Sequence, residues 1–218
     1  MEFSNLKITI YLKSSVAMQK RKGAFDSILA RLYFSELEKN GTFNGDYAQP
    51  LPFLDITDGV YHTSFPIFNG VKYYDKEKLI KTFDHDMYAK YGEILTKKGS
   101  GKGVVMTVQG TYKNAFFSIE RIGVDQIIYY ARGDMKQIAS LLNNLRFLGK
   151  KSSLGWGEVE KIEIEKIESD YSLIKHGKLM RNIPKKNSLQ IEDTGRVSLF
   201  RLQHPYWKKT DMVECLMP

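Results

Sequence analysis

Apolar and polar positions alternate near the start of the chain. Leu6, Ile8, Ile10 and Leu12 are separated by Lys7, Thr9 and Tyr11. A period of two predicts a strand over about Leu6–Lys13 with one face against a core. A basic loop, Lys20-Arg21-Lys22-Gly23, follows. Phe25, Ile28, Leu29, Leu32 and Tyr33 then fall at helical spacing on one face, and Asn40-Gly41 supplies a stop. Residues 42–58, with Gly45, Pro50 and Pro52, read as loop, and Val60 through Phe68 as a strand. Residues 72–103 are mostly charged with weak periodicity, and they end in Lys97-Lys98-Gly99-Ser100-Gly101-Lys102-Gly103. They predict an exposed, partly helical insertion.

Val104–Tyr112 and Ala115–Ile122 predict a hairpin across Lys113-Asn114, with Gln126–Arg132 as a further strand. Asp134 is placed to cap a second helix, with Gln137 to return the bond. Ile138, Leu141, Leu142, Leu145 and Leu148 give that helix its buried face, and Gly149 stands where a terminating glycine belongs. Val159–Ile167, with Ile162-Glu163-Ile164-Glu165 alternating, predicts a half-exposed strand. The order strand, helix, strands, helix, strand predicts an α+β chain of the ferredoxin-like (RRM-like) split βαβ type. The expected layout is a domain over 1–167, carrying the insertion at about 72–103, and a C-terminal extension over 168–218 packed on it.

Composition narrows the function classes. The 218 residues carry a net charge of +8, which favours an anionic partner such as nucleic acid. Cys215 is the single cysteine, so no intrachain disulfide or cysteine-based zinc cage can form, and a reducing cytoplasm fits. No apolar run is long enough to cross a membrane. The four histidines, His62, His85, His176 and His204, show no metal-binding helical spacing with a supporting carboxylate. Asp84-His85-Asp86 reads as an exposed charged face. His62 and Ser64 share a strand face and hint at a nucleophile pair, but without an evident third group. No catalytic residue, metal site or cofactor is assigned.

The chemistry-bearing segment is Leu148-Gly-Lys-Lys-Ser-Ser-Leu-Gly-Trp-Gly-Glu-Val159, between the second helix and the last strand. Its three glycines, Gly149, Gly155 and Gly157, allow positive φ and close backbone approach to a ligand. Exposed N–H groups can then face phosphate oxygens. Lys150 and Lys151 add charge, Ser152 and Ser153 add hydroxyl donors, and Trp156 offers a ring for stacking. The plainer reading is a helix stop and tight turn with Trp156 in the core. A nucleotide-dependent enzyme is disfavoured. The segment lacks the P-loop spacing, follows a helix rather than a strand, and has no G-x-G-x-x-G.

This helix–loop–strand unit resembles the signature loop of the RAMP superfamily of CRISPR proteins. Further stretches resemble one branch of it, the type IV effector subunit equivalent to the Cas-five group. They are Phe25-Asp26-Ser27-Ile28-Leu29-Ala30, Tyr61-His62-Thr63-Ser64, Asp170-Tyr171-Ser172-Leu173, Leu179-Met180-Arg181-Asn182-Ile183-Pro184 and His204-Pro205-Tyr206-Trp207. Tyr171, Asn182 and His204 depart from the family's Trp, Pro and Pro. The resemblance implies a RAMP fold and a non-catalytic subunit that binds the 5′ handle of the CRISPR RNA and caps one end of the effector. It implies as partners a repeated backbone RAMP subunit, a large subunit, and target DNA or RNA reached through the complex. Expected RNA contacts are the loop residues above, the basic Lys20, Arg21 and Lys22, then Lys97, Lys98 and Lys102, and Arg181 at its motif position. Trp207 is expected to pack. Relatives in the superfamily include nucleases, so the alternative is a metal-independent endoribonuclease that processes CRISPR RNA.

Overall fold

β1 (Ser4–Leu12) lies between β5 (Ala115–Gly133) and β6 (Val159–Lys166) and runs antiparallel to both. Ile8 stands opposite Tyr129 on one side and Ile164 on the other. This register puts Leu6, Ile8 and Ile10 on one face with no solvent exposure, as the alternation predicts. β4 (Ile67–Lys81) flanks β5, so the sheet order is β4-β5-β1-β6. A computed structural model describes residues 2–18, 23–83, 86, 113–185 and 196–218.

α1 (Phe25–Lys39) follows β1, and α2 (Met135–Leu142) follows β5; the two helices are in contact. Phe25 of α1 stacks on Tyr129 of β5 with ring centroids 5.0 Å apart. Phe25, Leu29, Phe34, Ile138, Leu141 and Leu142 join the β1 and β5 side chains in one core. Asp134 caps α2 as expected, accepting hydrogen bonds from the backbone N–H groups of Lys136 and Gln137.

Four expected elements are corrected. Val60–Phe68 is not one strand. β3 (Val60–Tyr61) turns back on β2 (Ile56–Thr57) through Asp58 and Gly59, both at positive φ. Residues 72–81, the start of the expected insertion, are extended strand that continues β4; their charged side chains sit on a ladder whose strand pairing, not burial, holds the backbone. Ala115–Ile122 and Gln126–Arg132 are one continuous strand, and Gly123 does not break it. A Cβ at Gly123 would lie 2.3 Å from the Tyr73 ring, so this glycine makes room for a cross-strand aromatic. Finally, α2 stops at Leu142 with Asn143 as cap. Leu145 and Leu148 are still buried, because the chain beyond the helix continues along the core and Phe147 bridges to Glu158. The expected Val104–Tyr112 arm lies outside the described residues.

The chain divides into two compact units, Met1–Tyr73 with Ile122–Pro218, and Tyr74–Arg121. In the second, Arg121 reaches Asp75 at 2.8 Å and Glu77 at 2.9 Å. In the first, the chain after β6 makes a hairpin of β7 (Ile174–Lys175) and β8 (Lys178–Leu179). It then adds a small sheet of β9 (Ile183–Pro184), β10 (Val197–Phe200) and β11 (Val213–Leu216), ordered β10-β11-β9. Among the described residues, no helix is long and apolar enough to cross a membrane.

Candidate functional site

The glycine-rich loop leaves the core at Leu148 and returns at Gly157. Leu148 N–H donates to the Gly157 carbonyl at 2.8 Å, closing its neck. The loop is bolted to the segment after β1. Lys150 N–H donates to Ala17 O (3.0 Å), and Gly157 N–H to Ser15 O (2.8 Å). Ser14 Oγ donates to Gly155 O (2.7 Å) and accepts from Glu158 N–H (2.9 Å). Nothing in the sequence ties Ser14–Ala17 to a loop more than a hundred residues away.

The glycines serve different ends. At Gly157 (φ +71) a Cβ would fall 1.9 Å from the Leu148 carbonyl oxygen, so the neck closes only without a side chain. At Gly149 (φ +82) a Cβ would lie 2.7 Å from Ala17 O. Gly149 is therefore a docking glycine, not the terminator of α2. Gly155 (φ +76) faces open space, and its backbone angle alone calls for glycine. Between them Lys151 takes a left-handed φ of +65, and Ser152–Leu154 forms a single 3₁₀ turn.

The loop therefore presents Lys150, Ser152, Ser153 and Gly155 at its exposed edge, with Lys151 half-buried. Among the described residues, the backbone N–H groups and hydroxyls of Ser152 and Ser153 donate to no protein group. Two expected contacts are corrected. Trp156 is 6% exposed, so its ring supports the loop from inside and presents no face to a base. Arg181 is 3% exposed and spent within the protein. Lys20, Arg21, Lys22, Lys97, Lys98 and Lys102 lie outside the described residues.

Arg181 organises a buried polar cluster. One guanidinium nitrogen donates to Thr63 Oγ1 (2.6 Å) and Tyr61 O (2.7 Å) and lies 3.4 Å from Asp26 Oδ1. The other donates to Leu202 O and to the Tyr206 hydroxyl, both at 3.2 Å. Thr63 Oγ1 donates to Asp26 at 2.9 Å, and the Tyr206 hydroxyl also donates to Asp26. One ion pair thus joins α1, the segment after β3, and the C-terminal residues. Trp207, next to Tyr206, does not pack as expected; it is 72% exposed.

His62 does not pair with Ser64. Ser64 is buried, and its Oγ accepts from Tyr130 N–H at 2.9 Å. His62 Nδ1 lies 2.7 Å from Asp170 Oδ2, and Nε2 lies 2.9 Å from Thr57 Oγ1. Burial alone would raise the Asp170 carboxyl. Its bonds to His62 and Ser172 outweigh that and hold it below the usual carboxylate range. Both ring nitrogens of His62 are engaged, so the pair ties residue 170 to the β2–β3 hairpin. Burial pushes the Cys215 thiol up to about 11, so it is not a ready nucleophile. Among the described residues, no group of three or more His, Cys, Asp or Glu side chains is arranged to hold a metal.

No curated protein matches the chain. A family model does: that of the CRISPR type IV associated protein Csf3, over residues 4–218. The match runs through the glycine-rich loop, the Arg181 cluster and the C-terminal sheet alike, so the chain belongs to the Csf3 family and is a subunit of a type IV CRISPR complex.

Proposed function

We propose that this chain is a non-catalytic, cytoplasmic RNA-binding subunit, and that its Gly149–Gly157 loop holds the 5′ handle of the guide RNA. The carrying observation is the loop's outer edge. Ser152 and Ser153 offer N–H and hydroxyl donors that have no protein acceptor among the described residues, beside Lys150 and Lys151. Donors and cations in this arrangement suit phosphate oxygens of a single strand. The loop is also pre-formed, fastened by Ser14, Ser15 and Ala17, so little ordering cost remains on binding.

The ferredoxin-like RAMP fold is part of this reading. It is supported by the order β4-β5-β1-β6, by α1 and α2 as the connections, and by the loop's place between α2 and β6. Capping of the assembly beside a backbone subunit and a large subunit, with target nucleic acid reached through the complex, follows from the same resemblance. The engaged His62 and buried Ser64 favour a binding role over RNA cleavage.

Binding of the handle RNA and of an unrelated RNA of equal length, measured across a salt series, tests the proposal. Lys150→Ala with Lys151→Ala removes two cations, so the log–log salt slope should fall by roughly 1.4. Wild-type affinity and slope in the folded double variant would reduce the loop to a turn.

A further inference from the structure

A groove of about 790 Å³ opens between α1 and the C-terminal sheet, away from the glycine-rich loop's own anchors. Ala30, Phe34, Leu199, Phe200, Pro205 and Met212 contribute apolar wall. Several apolar side chains here are left in water: Trp207 is 72% exposed, Leu199 54% and Met212 42%. Large apolar side chains clustered at a concave surface mark interaction sites rather than ordinary surface.

Charge says what kind of occupant fits. Arg31, Lys208 and Lys209 line the groove and are exposed. Arg201 also lines it but is paired with Asp211 at 3.1 Å. Glu38 is the one carboxylate among the described lining residues, and it already accepts from the Tyr47 hydroxyl. Arg31 also donates to Phe147 O at 3.3 Å; among the described residues none of Arg31, Lys208 and Lys209 has a carboxylate partner, so the wall is apolar with an excess of positive charge. The stretch of Ala30, Phe34, Leu199, Phe200, Pro205 and Met212 suits inserted apolar side chains better than the charged backbone of an RNA, which could use only the cations. A second copy of this basic chain would bring like charge.

We infer that this groove docks a protein segment of another subunit of the complex, one that inserts apolar side chains between α1 and β10 and carries Asp or Glu for Arg31, Lys208 and Lys209. Trp207 is its exposed aromatic anchor, and the three cations set orientation and encounter rate. The inference does not rest on RNA binding at the glycine-rich loop.

The test uses the assembled complex, purified through a tag on this chain. A photo-cross-linking amino acid replaces Leu199, whose exposure leaves the core undisturbed. The expected product is a cross-link to a segment of another subunit with apolar residues flanked by Asp or Glu. Lys208→Glu with Lys209→Glu should lower recovery of that same subunit roughly ten-fold, about 1.4 kcal/mol, while the free chain melts as wild type. A cross-link to RNA, to a second copy or to residues 186–195 of the same chain would overturn the inference. So would the absence of any cross-link, or unchanged recovery after charge reversal.

Discussion

Arg181 Nη1 stands 3.4 Å from Asp26 Oδ1, with side-chain exposures of 3% and 0%. A buried ion pair is weak evidence for net stability, but breaking it from one side is costly, about 3–5 kcal/mol, because the other charge is stranded. Arg181→Ala should therefore destabilise the protein by about that amount in a denaturant titration. Adding Asp26→Asn removes the stranded charge and should restore part of the loss. If the double variant is no more stable than Arg181→Ala alone, the two residues do not act as a pair.

Gly155 and Gly157 should separate loop shape from fold. Gly155→Ala meets nothing within 4 Å and carries only the left-handed cost of about 1–2 kcal/mol. It should fold, and weaken RNA binding with little change in salt slope, because charge is untouched. Gly157→Ala adds a clash with Leu148 O, about 1–3 kcal/mol more. Thermal melts ranking Gly155→Ala as the less stable of the two would contradict the neck geometry.

His204 should make stability depend on pH. Burial lowers its pKa below the ordinary 6.5, against a smaller opposing effect of its bond to Gln49 O. Nε2 lies 2.7 Å from that carbonyl and must carry a proton, while Nδ1 is buried with no partner among the described residues, so a second proton there would be a buried, uncompensated charge. With the folded value depressed, the unfolded chain protonates first as pH falls. Stability is then full above 6.5 and is lost as pH drops from there through the folded value. Between about pH 7.5 and about pH 5.5, wild type should lose more melting temperature than His204→Gln, which keeps a donor for Gln49 O. Parallel curves would show that the ring does not titrate with folding.

Metal-free repeat RNA should bind and stay intact, and a chelator should leave handle binding unchanged. Gel analysis of labelled RNA reads both. Discrete cleavage without added metal would favour the processing endoribonuclease, and a reproducible divalent-ion requirement would show a metal-dependent activity.

Much of this protein is set by local pattern. The period-two alternation of Leu6–Leu12 fixed β1, helical spacing from Phe25 fixed α1, and Asp134 capped α2. The three glycines marked the loop because positive φ is a demand of the backbone itself. Strand continuity through Gly123 was not legible, since that glycine answers to Tyr73 on another strand. The roles of the short family stretches were also decided only in three dimensions. Asp26, Thr63, Arg181 and Tyr206 each read as a surface or motif polar residue, yet they meet in one buried cluster. Trp156 and Trp207 exchanged their expected places, one going inside and the other out. Periodicity reports which face of a single element is apolar. It carries no record of which distant segment will cover that face, and it is this long-range packing that chose a structural role for Arg181 and left the α1 groove open.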